Sequence, residues 1–305
     1  MTKFFMTVGL PCSGKSEYAK NLAVEHNAEI FSSDSLREEM FGDVNHQADN
    51  EALFKELHKR IRECLASDKN AIYDATNINY KRRMEFLKSL NKILCEKIAI
   101  LMATPYEICL ERNAKRERKV PEEVIKRMYM NFWVPAKYEG FDNVQIVYSE
   151  GTENSKGYPA NWLDTVRDYD QGNSHHSLTL GQHCEKAWEL MDERASTVGI
   201  IDTSLRAASI LHDEGKPFTR TNINKKGEVT EDAHYYNHEH ISSYDSLFFS
   251  GSHDKIYTAC LIQWHMKPYL AWKESEKALN RDKKILGDKL FNHIMLLHEC
   301  DALAH

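Results

Sequence analysis

An eight-residue segment near the N-terminus has the residue types and spacing of a phosphate-binding loop. It runs from Gly9 to Ser16 as GLPCSGKS and fits the pattern G-x-x-x-x-G-K-[ST]. In this geometry backbone N–H groups surround the phosphates, Lys15 reaches the β and γ oxygens, and Ser16 helps to hold Mg²⁺. The segment follows an apolar run and opens a helical pattern, which favours an NTP site over a glycine-rich turn without function. The predicted nucleotide contacts are Gly9, Ser13, Gly14, Lys15 and Ser16.

Two charged residues that follow the second apolar run could act on an acceptor group. Asp34 and Arg37 are three positions apart, which places them on one face of the first turn of a helix. Asp34 could accept a hydroxyl proton, and Arg37 could hold an anionic group of the acceptor. An equally open interpretation is that Asp34 only caps the helix, a role that Ser32 or Ser33 could also fill.

Polar residues also follow a third apolar run, NAIYDATN. Asp74, Thr76 and Asn77 lie at its carboxyl side, where open α/β sheets bind their ligands. Asp74 could contact Mg²⁺ or hold Arg37, and Asn77 is a candidate for substrate binding.

A basic stretch, ERNAKRERKVPEEVIKRM, contrasts with the otherwise acidic chain. Such a segment can act as a lid whose arginines neutralise charge on a transferred phosphoryl group. The alternative is a solvated basic helix face. The basic residues ahead of Pro121 are Arg112, Lys115, Arg116, Arg118 and Lys119.

Histidines and aspartates of the second half have the chemistry of a metal site. His212 and Asp213 are adjacent at the end of an apolar helical run. A mixture of imidazole and carboxylate suits Mn²⁺, Fe²⁺, Ni²⁺, Co²⁺ or Mg²⁺. Any single histidine on an apolar helix is more often a core or surface residue, so the prediction depends on the whole set. The other candidates, each on a predicted helix, are His183, His238, His265 and Asp301.

Two different kinds of elements are predicted to position these residues. In the first half, short β-rich runs alternate with helical patterns, which predicts a parallel sheet. These runs are Lys3 to Val8, Ala28 to Ser32, Asn70 to Ala75, Lys97 to Ala103, and Asn143 to Tyr148. In the second half, long segments have apolar residues at i, i+3, i+4 spacing, which predicts a nearly all-helical region.

A boundary between two domains is predicted near residue 152. The stretch from Ser149 to Trp162 is polar and rich in turn residues, as in a linker or domain entry. Only three of the fifteen histidines precede it. We therefore expect domains over 1–151 and 152–305.

Composition and charge narrow the class of protein. The 305 residues include 40 Lys and Arg against 46 Asp and Glu, a net charge of −6, which argues against a polybasic binder. No apolar run approaches the roughly 20 residues that span a bilayer, so we expect no membrane association and a cytoplasmic location. The seven cysteines are scattered, which argues against a disulfide framework.

The motifs of the first half resemble a known family. In order and spacing, GLPCSGKS, SSDSLR, YDATN and ERNAKRERKVPEEVIKRMY are similar to the 5′-OH polynucleotide kinase module of phage-type and bacterial RNA-repair enzymes. The resemblance covers residues 1–150 and implies an α/β P-loop NTPase domain, a parallel sheet with flanking helices, that uses ATP and Mg²⁺. It implies that Asp34 is the general base on the 5′-OH and that Arg37 holds the acceptor's 3′ phosphate. Arg116, with Arg112 beside it, would contact the donor phosphates, and Asp74 would support Arg37 or the metal.

The second half resembles the HD phosphohydrolase superfamily. In that all-α fold, residues matching His183, His212, Asp213 and Asp301 gather around one metal ion. His238 and His265 match the extra positions of members with a second metal, in which the aspartate bridges both ions. The resemblance implies hydrolysis of phosphomonoesters or phosphodiesters. Lys216 is then a candidate electrostatic clamp, and His176 a candidate contact to the substrate phosphate or a metal.

Together the two resemblances predict a bifunctional enzyme that heals broken RNA or DNA ends. The kinase would phosphorylate a 5′-OH, and the HD-type domain would act as a 2′,3′-cyclic phosphodiesterase and 2′(3′)-phosphatase. Because the chain has no ligase motif Lys-x-Asp-Gly, sealing would need a separate RNA ligase. One alternative is a small-molecule or nucleotide kinase fused to an HD nucleotide phosphohydrolase. Another is an ATP-binding regulatory protein whose HD domain senses a nucleotide.

Overall fold

A computed structural model describes residues 1–46, 48–173, 177–197 and 202–304. The chain forms two compact units. The first contains Met1–Met128 and Pro135–Glu150, and the second contains Tyr129–Val134 and Gly151–His305.

The first unit is built on a five-stranded parallel sheet. Its strand order is β2-β3-β1-β4-β5, so β1 lies at the centre, where Phe5 pairs with Ile72 of β3 and Ile98 of β4. The strands are β1 (Thr2–Val8), β2 (Ala28–Ser32), β3 (Asn70–Asp74), β4 (Cys95–Ala103) and β5 (Asn143–Tyr148). This confirms the parallel sheet that the alternating runs predicted.

Helices connect these strands and cover the sheet. They are α1 (Lys15–His26), α2 (Ser33–Phe41), α3 (Asn50–Ala66), α4 (Tyr80–Ser89), α5 (Tyr106–Ala114) and α6 (Glu122–Tyr129), with a 3₁₀ turn at Lys137–Glu139. Parallel strands buried on both faces have continuous apolar runs, as β1 has from Phe4 to Met6. Ala19 and Leu22 of α1 pack against Phe5 in the core.

The carboxyl ends of the strands meet at one edge of this sheet, where the predicted polar residues lie. Gly9 follows β1, Asp34 follows β2, and Thr104 follows β4. Asp74 is the last residue of β3. The sheet therefore brings three separate motifs to one edge.

The second unit is mostly helical. Its helices are α7 (Pro159–Thr165), α8 (Leu180–Thr197), α9 (Thr203–Leu211), α10 (Lys216–Thr219), α11 (His238–Asp245), α12 (Lys255–Trp264), α13 (Ala271–Glu274) and α14 (Glu276–Leu303), with a 3₁₀ turn at Ser246–Phe248. Helices α9 and α12 pack against each other, and both contact α14. Leu205, Leu261 and Leu297 are fully buried in this core.

The all-α expectation for the second half is corrected by a β-hairpin. Strands β6 (Arg220–Ile223) and β7 (Val229–Tyr235) pair antiparallel. The turn between them has Gly227 at φ 85°, a left-handed backbone that glycine adopts without strain. The hairpin forms because threonine, isoleucine and valine flank this polar turn.

The two units differ in one respect from a single boundary near residue 152. The segment Tyr129–Val134 precedes that boundary and yet belongs to the second unit. Gln263 of α12 holds it through a paired contact, in which Val134 N donates to Gln263 Oε1 at 3.0 Å and Gln263 Nε2 donates to Val134 O at 3.3 Å. Phe132 packs edge-on against Tyr244. Among the described residues, no helix is both long and apolar enough to cross a membrane.

Candidate active sites

The loop from Gly9 to Ser16 is held in a compact shape by hydrogen bonds to its own backbone at the edge of the sheet. Gly9 N donates to Thr76 O at 3.0 Å, and Thr104 Oγ1 donates to Ser13 O at 3.1 Å. A Cβ on Gly9 would lie 2.6 Å from Ser13 Oγ and 3.0 Å from Met102 Cβ, so a side chain at this position would be crowded. Gly14 has φ 94°, which also favours glycine. Both glycines of the motif are therefore favoured by the shape of the loop.

Lys15 points back into this loop. Its buried Nζ donates to Leu10 O at 2.6 Å and lies 3.5 Å from Ser13 Oγ. Burial lowers the pKa of Lys15, and the nearby Asp74 carboxylate opposes that effect. Lys15 is thus held where phosphates would meet the loop.

Two oxygen donors beside Lys15 suit Mg²⁺. Ser16 is exposed in the first turn of α1. Asp74 is buried at the end of β3 and accepts a hydrogen bond from Thr7 Oγ1 at 3.1 Å. A hydroxyl and a carboxylate are the kinds of ligand that Mg²⁺ takes beside substrate phosphates.

The structure assigns the cap of α2 to Ser32 and leaves the Asp34 side chain for other contacts. Ser32 Oγ accepts from Ser35 N at 3.5 Å. Asp34 Oδ1 instead accepts from Arg37 NH1 at 3.1 Å. The buried Arg37 also donates to Asn50 Oδ1 at 2.9 Å. The two residues selected from their spacing are therefore paired.

A third residue joins this pair, and the sequence did not identify it. Arg118 NH1 donates to Asp34 Oδ2 at 3.2 Å, across 84 positions of the chain. The sequence placed Arg118 in the basic segment, but nothing in its pattern separated it from its basic neighbours.

The two arginines predicted to contact the donor phosphates lie against the phosphate-binding loop. Arg112 NH1 donates to Cys12 O at 3.5 Å, and Arg116 NH1 donates to Cys12 Sγ at 3.3 Å. Both side chains are exposed. This position differs from a helix face turned only to solvent, so it is compatible with the lid interpretation.

Asn77 has a structural contact at the same edge. Its Nδ2 donates to Thr7 O at 2.9 Å, and its own carbonyl accepts from Arg83 NH1 at 2.7 Å. Arg83 forms a buried, bidentate ion pair with Glu139, with both N···O distances 2.6 Å. The substrate contact of Asn77 stays a prediction.

In the second unit, four histidines present the same ring nitrogen to a common centre. Each Nδ1 contacts a backbone carbonyl, which can only accept, so each Nδ1 donates and each neutral Nε2 keeps its lone pair. The Nδ1 contacts are His183 to Ala304 O at 2.7 Å, His212 to Ser209 O at 3.0 Å, His238 to Tyr235 O at 2.7 Å and His265 to Ile262 O at 2.6 Å. Carbonyl contacts of this kind orient histidine ligands of metals.

Asp213 lies between two pairs of these histidines. Its Oδ2 is 3.4 Å from His183 Nε2 and 3.3 Å from His212 Nε2. Its Oδ1 is 3.0 Å from His238 Nε2 and 3.9 Å from His265 Nε2. Two buried groups of possible ligands therefore share the carboxylate of Asp213.

Asp301 completes the first of these groups. Its Oδ1 lies 3.1 Å from His183 Nε2 and 3.5 Å from His212 Nε2. The donor set of imidazole nitrogens and carboxylate oxygens fits divalent transition metals or Mg²⁺. The structure thus brings together all six residues that the sequence proposed as ligands in this region.

The pKa directions within the cluster reflect the crowding of its charges. Burial lowers the pKa of His212, but the Asp213 and Asp301 carboxylates outweigh it and raise that pKa to about 10. Burial and the neighbouring His238 and His212 lower the pKa of His265 to about 4. The cluster therefore cannot hold all its imidazoles in the protonated form.

Lys216 lies directly beside the cluster. Its buried Nζ donates to Asp213 Oδ2 at 2.7 Å and to Gln171 Oε1 at 2.7 Å. Gln171 is a contact that the sequence did not predict. His176, the other predicted phosphate contact, lies outside the described residues.

Tyr269 is a further neighbour that the sequence missed. Its hydroxyl hydrogen-bonds Asp301, and its pKa is raised by burial and by that carboxylate. Its ring packs edge-on against His298. The one available signal was its position four residues after His265.

Parts of this chain are similar to known proteins. Residues 4–135 match the family model described as an AAA domain. The L-seryl-tRNA(Sec) kinase of Methanococcus maripaludis is 29% identical over 139 residues, which are 44% of this chain and 54% of that protein. The chain therefore spans about half the length of this relative.

Solved structures with a similar fold include an RNA repair complex and an RNA kinase. One is the Pnkp1/Rnl/Hen1 RNA repair complex, with 23% identity, a TM-score of 0.39, and 42% of each chain covered. Another is a fungal RNA kinase, with 15% identity, a TM-score of 0.38, and 51% of this chain and 78% of that chain covered. Residues 4–135 form a P-loop domain of kinase-like α/β architecture.

Proposed function

We propose that this chain is a bifunctional RNA end-healing enzyme. Residues 1–151 would be an ATP-dependent 5′-OH polynucleotide kinase, and residues 152–305 an HD-type, metal-dependent 2′,3′-cyclic phosphodiesterase and 2′(3′)-phosphatase. The observation that carries the proposal is that one chain holds both a P-loop with an aspartate on the acceptor side and a buried histidine and aspartate cluster. These are the sites that the two repairs need.

In the kinase reaction, Asp34 takes the proton of the 5′-OH. The oxygen then attacks the γ-phosphorus of ATP, the bond from that phosphorus to the β–γ bridging oxygen breaks, and ADP leaves. Lys15, Arg112 and Arg116 neutralise the charge on the phosphates. Mg²⁺, when bound through Ser16 and Asp74, supplies further neutralisation of that charge. Arg37 holds the acceptor's 3′ phosphate.

In the hydrolase site, the two ligand groups around Asp213 would hold one or two divalent metals. Bound there, such metals supply an activated water and neutralise phosphoryl charge. Asp301 completes the first group, and the backbone carbonyls keep each Nε2 directed inward. Lys216 orients the substrate phosphate, and His176 remains a candidate contact to it. Mn²⁺, Fe²⁺, Ni²⁺, Co²⁺ and Mg²⁺ all suit the donor set.

The substrate follows from combining the two reactions. Cleavage that leaves a 2′,3′-cyclic phosphate and a 5′-OH produces two ends that a ligase cannot join. One site would supply the missing 5′ phosphate and the other would restore the 3′-OH. Broken RNA is therefore the proposed partner, with a separate RNA ligase for sealing in the cytoplasm. DNA, which lacks the 2′-OH, would be a substrate only with 5′-OH and 3′-phosphate ends.

The test uses a short RNA with 5′-OH and 2′,3′-cyclic phosphate ends, incubated with ATP, Mg²⁺ and Mn²⁺, and both ends of the product are resolved. We expect 5′-phosphate and 3′-OH from the wild-type protein. Lys15→Ala should prevent only the first change and Asp213→Ala only the second. An RNA with both ends unchanged would reject the proposal.

The second candidate is a small-molecule or nucleotide kinase fused to an HD nucleotide phosphohydrolase. Phosphorylation or hydrolysis of free nucleotides, with the RNA ends unchanged, would identify it. The similarity to L-seryl-tRNA(Sec) kinase makes a hydroxyl carried by an aminoacylated RNA worth including among the acceptors. A regulatory protein with a nucleotide-sensing HD domain would bind nucleotides without turning over any of these substrates.

A further inference from the structure

Both oxygens of the Asp34 carboxylate are held by guanidinium groups. Arg37 contacts Oδ1 at 3.1 Å and Arg118 contacts Oδ2 at 3.2 Å. Arg118 reaches two more oxygens, Asn45 Oδ1 at 3.0 Å and Val44 O at 3.2 Å. This one side chain therefore bridges the basic segment, the proposed general base and the loop after α2.

The side chains of Asp34, Arg37 and Arg118 together carry a net positive charge. Two guanidinium groups share a single carboxylate, and the amide and carbonyl oxygens around them are neutral. Arg37 is buried, yet its Nε has no hydrogen-bond partner among the described residues. A monoanion would complete both the charge balance and the hydrogen bonding, since a buried unpaired donor is costly.

The present contacts also occupy the Asp34 carboxylate. Each of its oxygens accepts a charge-assisted hydrogen bond, so a hydroxyl group that approaches either oxygen must compete with a guanidinium. Arg118 is the partner that can leave, because its side chain is 40% exposed whereas that of Arg37 is 6% exposed.

We infer that Arg118 is an acceptor-specificity residue that exchanges Asp34 for a phosphate of the acceptor. The inference rests on the proposed kinase function. It narrows the substrates of that kinase to acceptors with a phosphate near the reacting hydroxyl, as the 3′ phosphate is near the 5′-OH at a polynucleotide 5′ end. Guanidinium binds phosphate in the same fork geometry as carboxylate. Binding the acceptor therefore frees one oxygen of Asp34 for the hydroxyl proton.

The test is a steady-state comparison of Arg118→Ala and Lys119→Ala with wild type, using ATP and a 5′-OH oligonucleotide acceptor. Lys119 is the matched control, because it is the exposed neighbour of Arg118 and its loss removes the same charge. If Arg118 binds the acceptor phosphate, its removal raises KM for the acceptor by about tenfold to a hundredfold, as for loss of a charge-assisted contact. The kcat should stay within about twofold, because Asp34 remains available.

Three other results would overturn the inference. A lower kcat with unchanged acceptor KM in Arg118→Ala would mean that Arg118 only orients Asp34. An equal rise of KM in Lys119→Ala would mean that the effect is general electrostatic attraction. Absence of transfer to the oligonucleotide by the wild-type protein would reject the proposed kinase function itself, whereas the first two results leave that function standing.

Discussion

His183 and His212 face each other through their Nε2 atoms at 3.2 Å, while each donates its Nδ1 proton to a backbone carbonyl. Two neutral imidazoles would place lone pair against lone pair here; without a metal, the raised pKa of His212 keeps that ring protonated, so a proton lies between the two nitrogens. A divalent cation between them turns both lone pairs into ligands. The same arrangement recurs between His238 and His265, whose Nε2 atoms are 3.3 Å apart.

Because Asp213 belongs to both ligand groups, single substitutions should remove metal in a graded way. If the wild-type protein holds two ions, His183→Ala and His265→Ala, which each alter one ligand group, should each lower the metal content by one ion per chain. Asp213→Ala should abolish it. Elemental analysis of protein dialysed after Mn²⁺ loading measures this, with exposed His253→Ala as control. A wild-type metal content in Asp213→Ala would contradict the assignment.

Lys15→Ala should abolish phosphoryl transfer, by at least about a hundredfold, because the buried cation that meets the phosphates is removed. Release of phosphate from the RNA 3′ end should stay unchanged, since that site lies in the second unit. Separate assays of the two RNA ends measure both effects. Lys20→Ala is the control, an exposed lysine of the same helix. Loss of both activities by a folded Lys15→Ala protein would refute the two-site arrangement.

Asp34→Ala should bind ATP as tightly as wild type but transfer phosphate about a hundredfold to ten-thousandfold more slowly, as expected for loss of a general base. Isothermal titration with ATP and a transfer assay together separate the two effects. Glu38→Ala removes an exposed carboxylate one turn further along α2 and should behave as wild type. Full transfer activity in Asp34→Ala would exclude Asp34 as the base.

The Arg83–Glu139 pair should be a large contributor to the stability of the first unit. Both side chains are almost fully buried, at 1% and 0% exposure, so Arg83→Met leaves a buried carboxylate without its partner. We expect the free energy of unfolding to fall by about 3–5 kcal/mol. The double variant Arg83→Met with Glu139→Leu should lose less free energy of unfolding than Arg83→Met alone, because no buried carboxylate is left without a partner.

Urea unfolding followed by fluorescence measures this difference. The exposed Lys59→Ala, which breaks surface ion pairs of α3, serves as control and should change stability by less than about 1 kcal/mol. Equal stability of Arg83→Met and wild type would show that the buried pair contributes nothing.

His58 should make the first unit less stable in acid. Burial, with the charge of Arg62, lowers its pKa from 6.5 to about 4. Its ring stacks on Phe86 and its Nε2 lies 3.2 Å from the Tyr73 hydroxyl. Below pH 6.5 the unfolded chain takes up a proton that the folded one does not, so stability falls as the pH drops towards 4.

The His58→Gln variant tests this, because it removes the titrating ring and keeps a polar group near Tyr73. The loss of stability between about pH 7 and about pH 5 should be smaller in the variant than in wild type. Urea unfolding at the two pH values measures this loss. If the variant loses as much stability as wild type, His58 is not responsible for the acid sensitivity.

The sequence was sufficient for the phosphate-binding loop and the parallel sheet. All residues of the loop are contiguous, and Gly9 and Gly14 are favoured by close packing and a positive φ that the motif encodes locally. The buried strands appear as apolar runs because both faces of such a sheet are covered. The pairing of Asp34 with Arg37 was also accessible, since three positions along a helix bring side chains together.

The tertiary structure decided which distant residues meet. Arg118 joins Asp34 across 84 positions, and no periodicity distinguishes it from Arg116, which instead contacts Cys12. Gln171 contacts Lys216 and Tyr269 contacts Asp301, also across long stretches of the chain. The segment Tyr129–Val134 likewise packs in the second unit although it precedes the expected boundary. Local patterns arise from the repeat of the backbone, whereas these contacts depend on how whole helices and loops pack. Packing of that kind is a property of the folded chain and leaves no short-range signal in the order of its residues.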